Sequence, residues 1–218
     1  MWAHQISAGR NNQVNSTAAI HDDIVVIGCN DALVAAYDAL TGGAVWKQSI
    51  DGPCTTEILA SDGKVFATTM GSVYALDTVT GAILFRKRWQ HMEVHSVTLC
   101  RDAVVAVLKP AATGSNQVGN QAHGDPPQMI AFRGDSEVFH VATAEFNVGI
   151  RCDGDSGLIY ESRLDSLGII DPSTGRRLHN IYPDAGLFSC GLIDVDADGM
   201  YALDDTSIYR LRRPLNEP

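Results

Sequence analysis

The sequence is poor in charge, and the charge it has carries the wrong sign for a polyanion. Only 19% of the 218 residues are charged, and 26 Asp and Glu outnumber 16 Lys and Arg, for a formal net charge of −10. Nucleic-acid binding needs a basic stripe, so nucleic acid is excluded as a partner class. No apolar run approaches the ~20 residues of a membrane-spanning helix. Residues 1–10 have neither the basic start nor the apolar core of a signal peptide, so no membrane association is expected. Cysteine is scarce and odd in number: Cys29, Cys54, Cys100, Cys152 and Cys190, with no paired spacing. The expectation is five reduced thiols, each a small buried hydrophobe, in a cytoplasmic protein. No nucleophile elbow or zinc-binding helix is present, and Gly-rich 113–124 lacks the Lys-Ser/Thr ending of a phosphate loop.

What is present is a repeat. Residues 33–46 read LVAAYDALTGGAVW, residues 72–85 SVYALDTVTGAILF and residues 166–179 SLGIIDPSTGRRLH. In each, an apolar strand runs into Asp (Asp38, Asp77, Asp171). Thr-Gly follows three residues on (Thr41-Gly42, Thr80-Gly81, Thr174-Gly175), and then a second apolar stretch. Asp and Thr hydrogen-bond neighbouring backbone in turns, and Gly takes positive φ without steric cost, so the unit is a β-hairpin. Another strand precedes each hairpin, at 24–27, 65–68 and 158–160. Four strands repeated at about 40 residues is the period of a β-propeller blade.

The cleanest copy is Asp62-Gly63-Lys64-Val65-Phe66, followed by Val73-Tyr74-Ala75-Leu76-Asp77 and Thr80-Gly81. This pattern resembles the repeat of the pyrroloquinoline-quinone-like propeller family, in five copies over nearly the whole chain. The resemblance implies an all-β fold: one domain, 1–218, of five four-stranded antiparallel blades. They fall at about 14–50, 54–89, 94–141, 148–181 and 190–213. The last is expected to be completed by residues 1–5, because Trp2 matches Trp46 and 206–213 reads as a third strand with no fourth after it. Closure of that kind removes exposed sheet edges.

Asp38 and Asp77 lie 39 residues apart and Asp77 and Asp171 lie 94 apart, so the third blade carries an insertion, at 109–127. That blade has lost Thr-Gly, and Arg133-Gly134-Asp135 is expected to make a different tight turn. The inner strands align at 15–17, 55–57, 95–97, 149–151 and 191–193. Glu57 and Arg151 fall in one ring, where they are placed to pair across a central channel.

The quinone-binding members of the superfamily carry an adjacent Cys-Cys pair and calcium-binding carboxylates, which this chain lacks; no cofactor is expected. Residues 194–205, DVDADGMYALDD, have a calcium-loop spacing. However, the repeat expects Asp198-Gly199 to be a hairpin and 200–203 a strand, so no metal site is expected. His91, His95, His123 and His140 have no zinc-ligand spacing. Carbohydrate hydrolysis on a five-bladed propeller needs facing carboxylates, for which Glu57, Asp153 and Asp194 are the candidates. A lectin needs equivalent polar loops on every blade, and these loops differ.

The reading is a non-catalytic binding scaffold, with a protein partner first and a small-molecule or glycan ligand second. A carbohydrate-active enzyme or a lectin is the alternative. Links between blades, and the loops joining second and third strands, share one face. That face is expected to carry Arg10, Asn11, Asn12, Trp89, His91, Glu93, His95, His123, Asp125, Phe146 and Tyr182. Aromatic and Arg residues in such loops are typical hot spots.

Overall fold

A computed structural model of the chain describes residues 3, 14, 16–54, 56–111, 126–143, 147–163, 166–182, 192–196, 199–203 and 208–211. These residues contain nineteen strands and no helix. The first sheet is β1 (Ala19–His21), β2 (Ile24–Cys29), β3 (Leu33–Asp38) and β4 (Ala44–Ser49). The second is β5 (Leu59–Ser61), β6 (Lys64–Thr68), β7 (Ser72–Asp77) and β8 (Ile83–Arg88). The third is β9 (Met92–Cys100), β10 (Ala103–Pro110), β11 (Gln128–Arg133) and β12 (Ser136–Ala142). The fourth is β13 (Asn147–Cys152), β14 (Ile159–Arg163), β15 (Leu167–Ile170) and β16 (Arg177–Ile181). β17 (Leu192–Asp196), β18 (Gly199–Leu203) and β19 (Ile208–Leu211) form a three-stranded sheet. Each sheet is a meander with its strands in chain order, which is the arrangement of a propeller blade. The strand expected from residues 1–5 lies outside the described residues.

The chain divides into two compact units. One holds residues 1–95 with 111–116, the other residues 96–110 with 117–218. In the first unit, Val26, Val34, Ala36, Val65, Ala67 and Leu76 are fully buried in a core shared by its two sheets. In the second, Val105, Val107, Met129, Ile150 and Ile159 do the same. β7 and β10 read as near-continuous apolar runs because both faces of a middle strand are covered.

The repeated turn forms as its residues require. Asp77 Oδ1 accepts bonds from the Val79 N–H (3.1 Å), the Thr80 N–H (2.7 Å) and the Thr80 hydroxyl (2.7 Å). Gly81, at φ 72°, donates to the Asp77 carbonyl at 2.8 Å. Asp38 and Asp171 repeat the arrangement. Just after the turn, the register slips by one residue in the same place in all four complete sheets, between Ala36/Tyr37, Ala75/Leu76, Ala131/Phe132 and Ile169/Ile170. The extra residue is Val45, Leu84, Val138 and Leu178; Val45, Leu84 and Leu178 stand outward on the outer strands, whereas Val138 packs against the core of its unit.

The structure corrects the sequence reading in three places. Cys100 and Cys152 form a disulfide, with Cα atoms 5.2 Å apart. Two cysteines from different blades, 52 residues apart, give no local spacing to read. The bond also removes the ground for expecting a cytoplasmic protein from reduced thiols. Cys29 and Cys54 are free and buried as expected, and burial pushes the Cys54 thiol up to about 11. Second, the inner strands β1 and β5 are only three residues long and begin after the aligned polar residues. Ser16 and Thr56 instead sit ahead of the strands, bonded to Gly28 and Thr68. Third, Asp153 does not face a cleft: it is 1% exposed and caps its own turn, as described below. The turn at Arg133-Gly134-Asp135 is as expected, with Arg133 paired to Ser136.

Candidate binding face

Within each sheet the connections divide by end. The links between blades and the second-to-third-strand connections lie at one end, called here the link end. The hairpins and Thr-Gly turns lie at the other, the turn end. Backbone bonds fasten the link end together: Ile50 N–H to Ala32 O (2.9 Å), Trp89 N–H to Gly71 O (2.9 Å) and Val94 N–H to Met70 O (2.6 Å).

A polar cluster anchors the first link. Asp51 accepts bonds from the hydroxyls of Thr69 and Ser72, both at 3.0 Å, and from the Arg86 guanidinium. Its own N–H donates to the Tyr74 hydroxyl at 3.1 Å, and Arg86 lies over the Tyr74 ring, 5.4 Å from its centroid. Burial raises the Asp51 carboxyl, but the hydroxyls of Tyr74, Thr69 and Ser72 and the charge of Arg86 outweigh it and hold the group low.

The second unit solves the same problem differently. Glu161, fully buried in β14, takes the Arg177 guanidinium and the hydroxyl of Thr143 from the link ahead of β13. The β14 and β15 registers place Glu161 where β6 has Ala67, and Gly168 where β7 has Tyr74. A Cβ at Gly168 would stand 3.2 Å from a Glu161 carboxylate oxygen, so this glycine makes room for the pair. Arg177 also reaches Asn180 (3.2 Å), which reaches the hydroxyl of Tyr182. Sequence reasoning missed Glu161. The signal was available: a carboxylate in an apolar strand, sixteen residues before an arginine and opposite a glycine.

The expected site residues distribute as follows. Trp89 is half-buried in the link, His91 is exposed with φ 62°, and the His91 carbonyl accepts from Ala111 N–H at 2.9 Å. Glu93 and His95 lie in strand β9 rather than in a loop. Tyr182 is 64% exposed, and Met70, which was not singled out, is 52% exposed beside Gly71. Arg10, Asn11, Asn12, His123, Asp125 and Phe146 lie outside the described residues. Glu57 stands half-buried ahead of β5, and Arg151 lies in β13 opposite Tyr160.

The turn end is built by packing. Trp46 of β4 donates its Nε1–H to the Thr78 carbonyl at 2.7 Å. Its ring covers Gly81 so closely that a Cβ there would fall 2.6 Å from ring carbons. Phe139 of β12 covers Gly175 in the same way, at 2.5 Å. Thus an outer-strand aromatic of one blade presses on the Thr-Gly turn of the next. Asp153-Gly154-Asp155-Ser156-Gly157 is a further copy of the turn, between β13 and β14. Asp153 accepts from the Ser156 hydroxyl (2.6 Å) and the Asp155 N–H (3.1 Å), and Gly157 N–H donates to the Asp153 carbonyl (2.7 Å). Here Arg101 replaces the aromatic, covering Gly157 and donating to the Ser156 carbonyl at 3.1 Å.

Repeated four-stranded meanders joined by such turns define a β-propeller repeat protein. The chain belongs to the pyrroloquinoline-quinone-like repeat propeller family. The family model described as outer membrane protein assembly factor BamB matches residues 1–125, more than half of the 218. BamB from Moraxella catarrhalis is 19% identical over 91% of this chain and 77% of its own, with a TM-score of 0.46. Quinohemoprotein alcohol dehydrogenase from Comamonas testosteroni reaches 0.64 at 13% identity over 93% of this chain. The C-terminal WD40 domain of Sif2 also reaches 0.64, at 12% identity over 91% of this chain. These last two likenesses concern the fold alone. The chain spans only 44% of the dehydrogenase and 54% of the WD40 domain. No curated protein matches significantly.

Proposed function

We propose that the chain is a non-catalytic, five-bladed propeller scaffold that presents its link end to a protein partner, in the manner of an assembly factor. The observation that carries this reading is how the carboxylates are used. Asp38, Asp77, Asp153 and Asp171 bond their own turns, and Asp51 and Glu161 sit in ion pairs that fasten links. Groups so engaged are poor candidates for general acid and base. The link end of the first unit carries exposed Met70 with Trp89 and His91, and that of the second carries exposed Tyr182, the residue types of interface hot spots. The match to an assembly-factor family supports the same class. Closure of the fifth blade by residues 1–5 would seat Trp2 on Gly42, which is buried like Gly81 and Gly175.

The test is quantitative capture from the native cell by three proteins: the parent, a variant with 109–127 replaced by a short turn, and R10A/H91A. All three are expected to fold, with each variant losing at least tenfold in partner recovery. If both variants recover the parent's partner in full, the link end is not the binding face.

A further inference from the structure

The turn end of the first two blades carries a surface that packing does not explain. The Asp-x-x-Thr-Gly turn has two free positions, and the second is Leu40 in the first blade and Val79 in the second. Leu40 is 87% exposed and Val79 72%. Val45, Ile83 and Leu84, which follow these turns, are 45–49% exposed. The five residues lie on these two turns or at the start of the strands that leave them, β4 and β8. The Trp46–Thr78 bond sets β4, and with it Val45, beside the turn that carries Val79. The fourth blade has Ser173 at the position of Leu40 and Val79, and Arg177 at that of Ile83.

The rim of this patch is predominantly acidic. Ala39 N–H donates to the Asp23 carbonyl (2.7 Å) and Thr78 N–H to the Gly63 carbonyl (3.0 Å), so each Thr-Gly turn lies against an inner hairpin. Those hairpins carry Asp22, Asp23 and Asp62, all exposed, and Asp38 and Asp77, half-buried and bonded into their own turns, lie at the same end. Exposed Lys64 stands among them, and the His21 ring lies 3.7 Å from the Asp22 carboxylate. The corresponding end of the other unit is mixed, with Arg101, Arg133 and Arg176 among its acids. Exposed apolar patches rimmed by polar groups mark interaction sites, and charge complementarity selects the partner.

We infer that the turn end of the first two blades docks a basic amphipathic segment of a partner protein, seating apolar side chains on Leu40 and Val79 and Lys or Arg against the surrounding aspartates. The inference rests on the reading of the chain as a protein-binding propeller, but it uses the end opposite to the link end.

The probe is a labelled twelve-residue peptide of alternating Leu and Lys, compared by fluorescence anisotropy with its Ser/Lys and Leu/Glu counterparts. The Leu/Lys peptide is expected to bind at least tenfold more tightly than either. L40S/V79S should lose at least tenfold. D22N/D62N, which keeps residues that tolerate positive φ, should weaken binding severalfold and flatten its salt dependence. Equal binding of the Ser/Lys peptide, undiminished binding to L40S/V79S, or no binding to the parent would overturn the inference and leave the aspartates as turn formers. R10A/H91A should bind the peptide like the parent. A peptide failure with partner capture still lost in R10A/H91A would therefore sink this surface and spare the link end.

Discussion

The two units use one clamp and reinforce it in different ways. In each, an aromatic from an outer strand lies on the glycine of the next blade's turn, Trp46 on Gly81 and Phe139 on Gly175. The first unit adds a surface network, Asp51 with Thr69, Ser72 and Arg86, whose two charged partners remain about a third exposed. The second adds a disulfide between β9 and β13, an Arg101 arm on the neighbouring turn and a fully buried Glu161. The repeat dictates the clamp, while each unit carries its own lock. Mutations should therefore have similar effects at the clamps and very different effects at the locks.

The largest contrast is expected between the two arginines. R177M strands a buried carboxylate and should cost about 3–5 kcal/mol, as breaking one side of a buried pair does. R86M leaves Asp51 with its hydroxyl donors and partial solvent, and should cost about 1 kcal/mol or less. Equal losses in denaturant melts would show that the two locks do not differ in kind. Opening the disulfide comes next. It closes a loop of 52 residues, worth about 4 kcal/mol in the chain-entropy picture and commonly 2–4 in practice. C100S/C152S should melt lower by that amount, and reductant should lower the parent but not the double variant.

The clamp itself is sharpened by three glycines at positive φ. Gly81 and Gly175 lie under rings, whereas Gly134, in the third blade's different turn, has open space where a Cβ would go. G134A should cost only the left-handed strain, about 1 kcal/mol. G81A and G175A add a collision with Trp46 or Phe139, for about 2–3 kcal/mol in all. Three equal costs would mean that the rings yield freely.

The smallest effect is a pH dependence. The Thr80 hydroxyl and amide, chiefly, hold Asp77 below the usual carboxylate range, and Thr41 and Ser173 do the same for Asp38 and Asp171. A lowered folded value means stability that is complete above about 4, the unfolded value, and is lost as pH falls through the folded one. T80V should move Asp77 up toward the ordinary value in an NMR titration and leave Asp38 and Asp171 unchanged.

Much of this was legible in the sequence. Asp38, Asp77 and Asp171 with their Thr-Gly partners announced the turn, because the bonding is local and the residue types are dictated by it. The blade boundaries followed within a few residues. Asp153 was misread because its copy of the turn has Ser156 for Thr and sits between the first two strands of its blade. The disulfide and the Glu161–Arg177 pair were invisible for another reason: their partners are joined only by packing, and no period relates them. Leu40 and Val79 stood in plain sight as motif residues, but only exposure separates them from core leucines and valines.

The claim on which the rest depends is that the Thr-Gly turn is architecture, held under an aromatic, and not a repeated ligand pocket. A double-mutant cycle on Trp46 and Gly81 tests it directly. With W46L in place the ring is gone, and G81A should then cost little more than its left-handed strain. The coupling between the two sites should be about 1–2 kcal/mol, in the range for residues in contact. Strictly additive losses would contradict the clamp, and would free the repeated turn for the role of a lectin pocket.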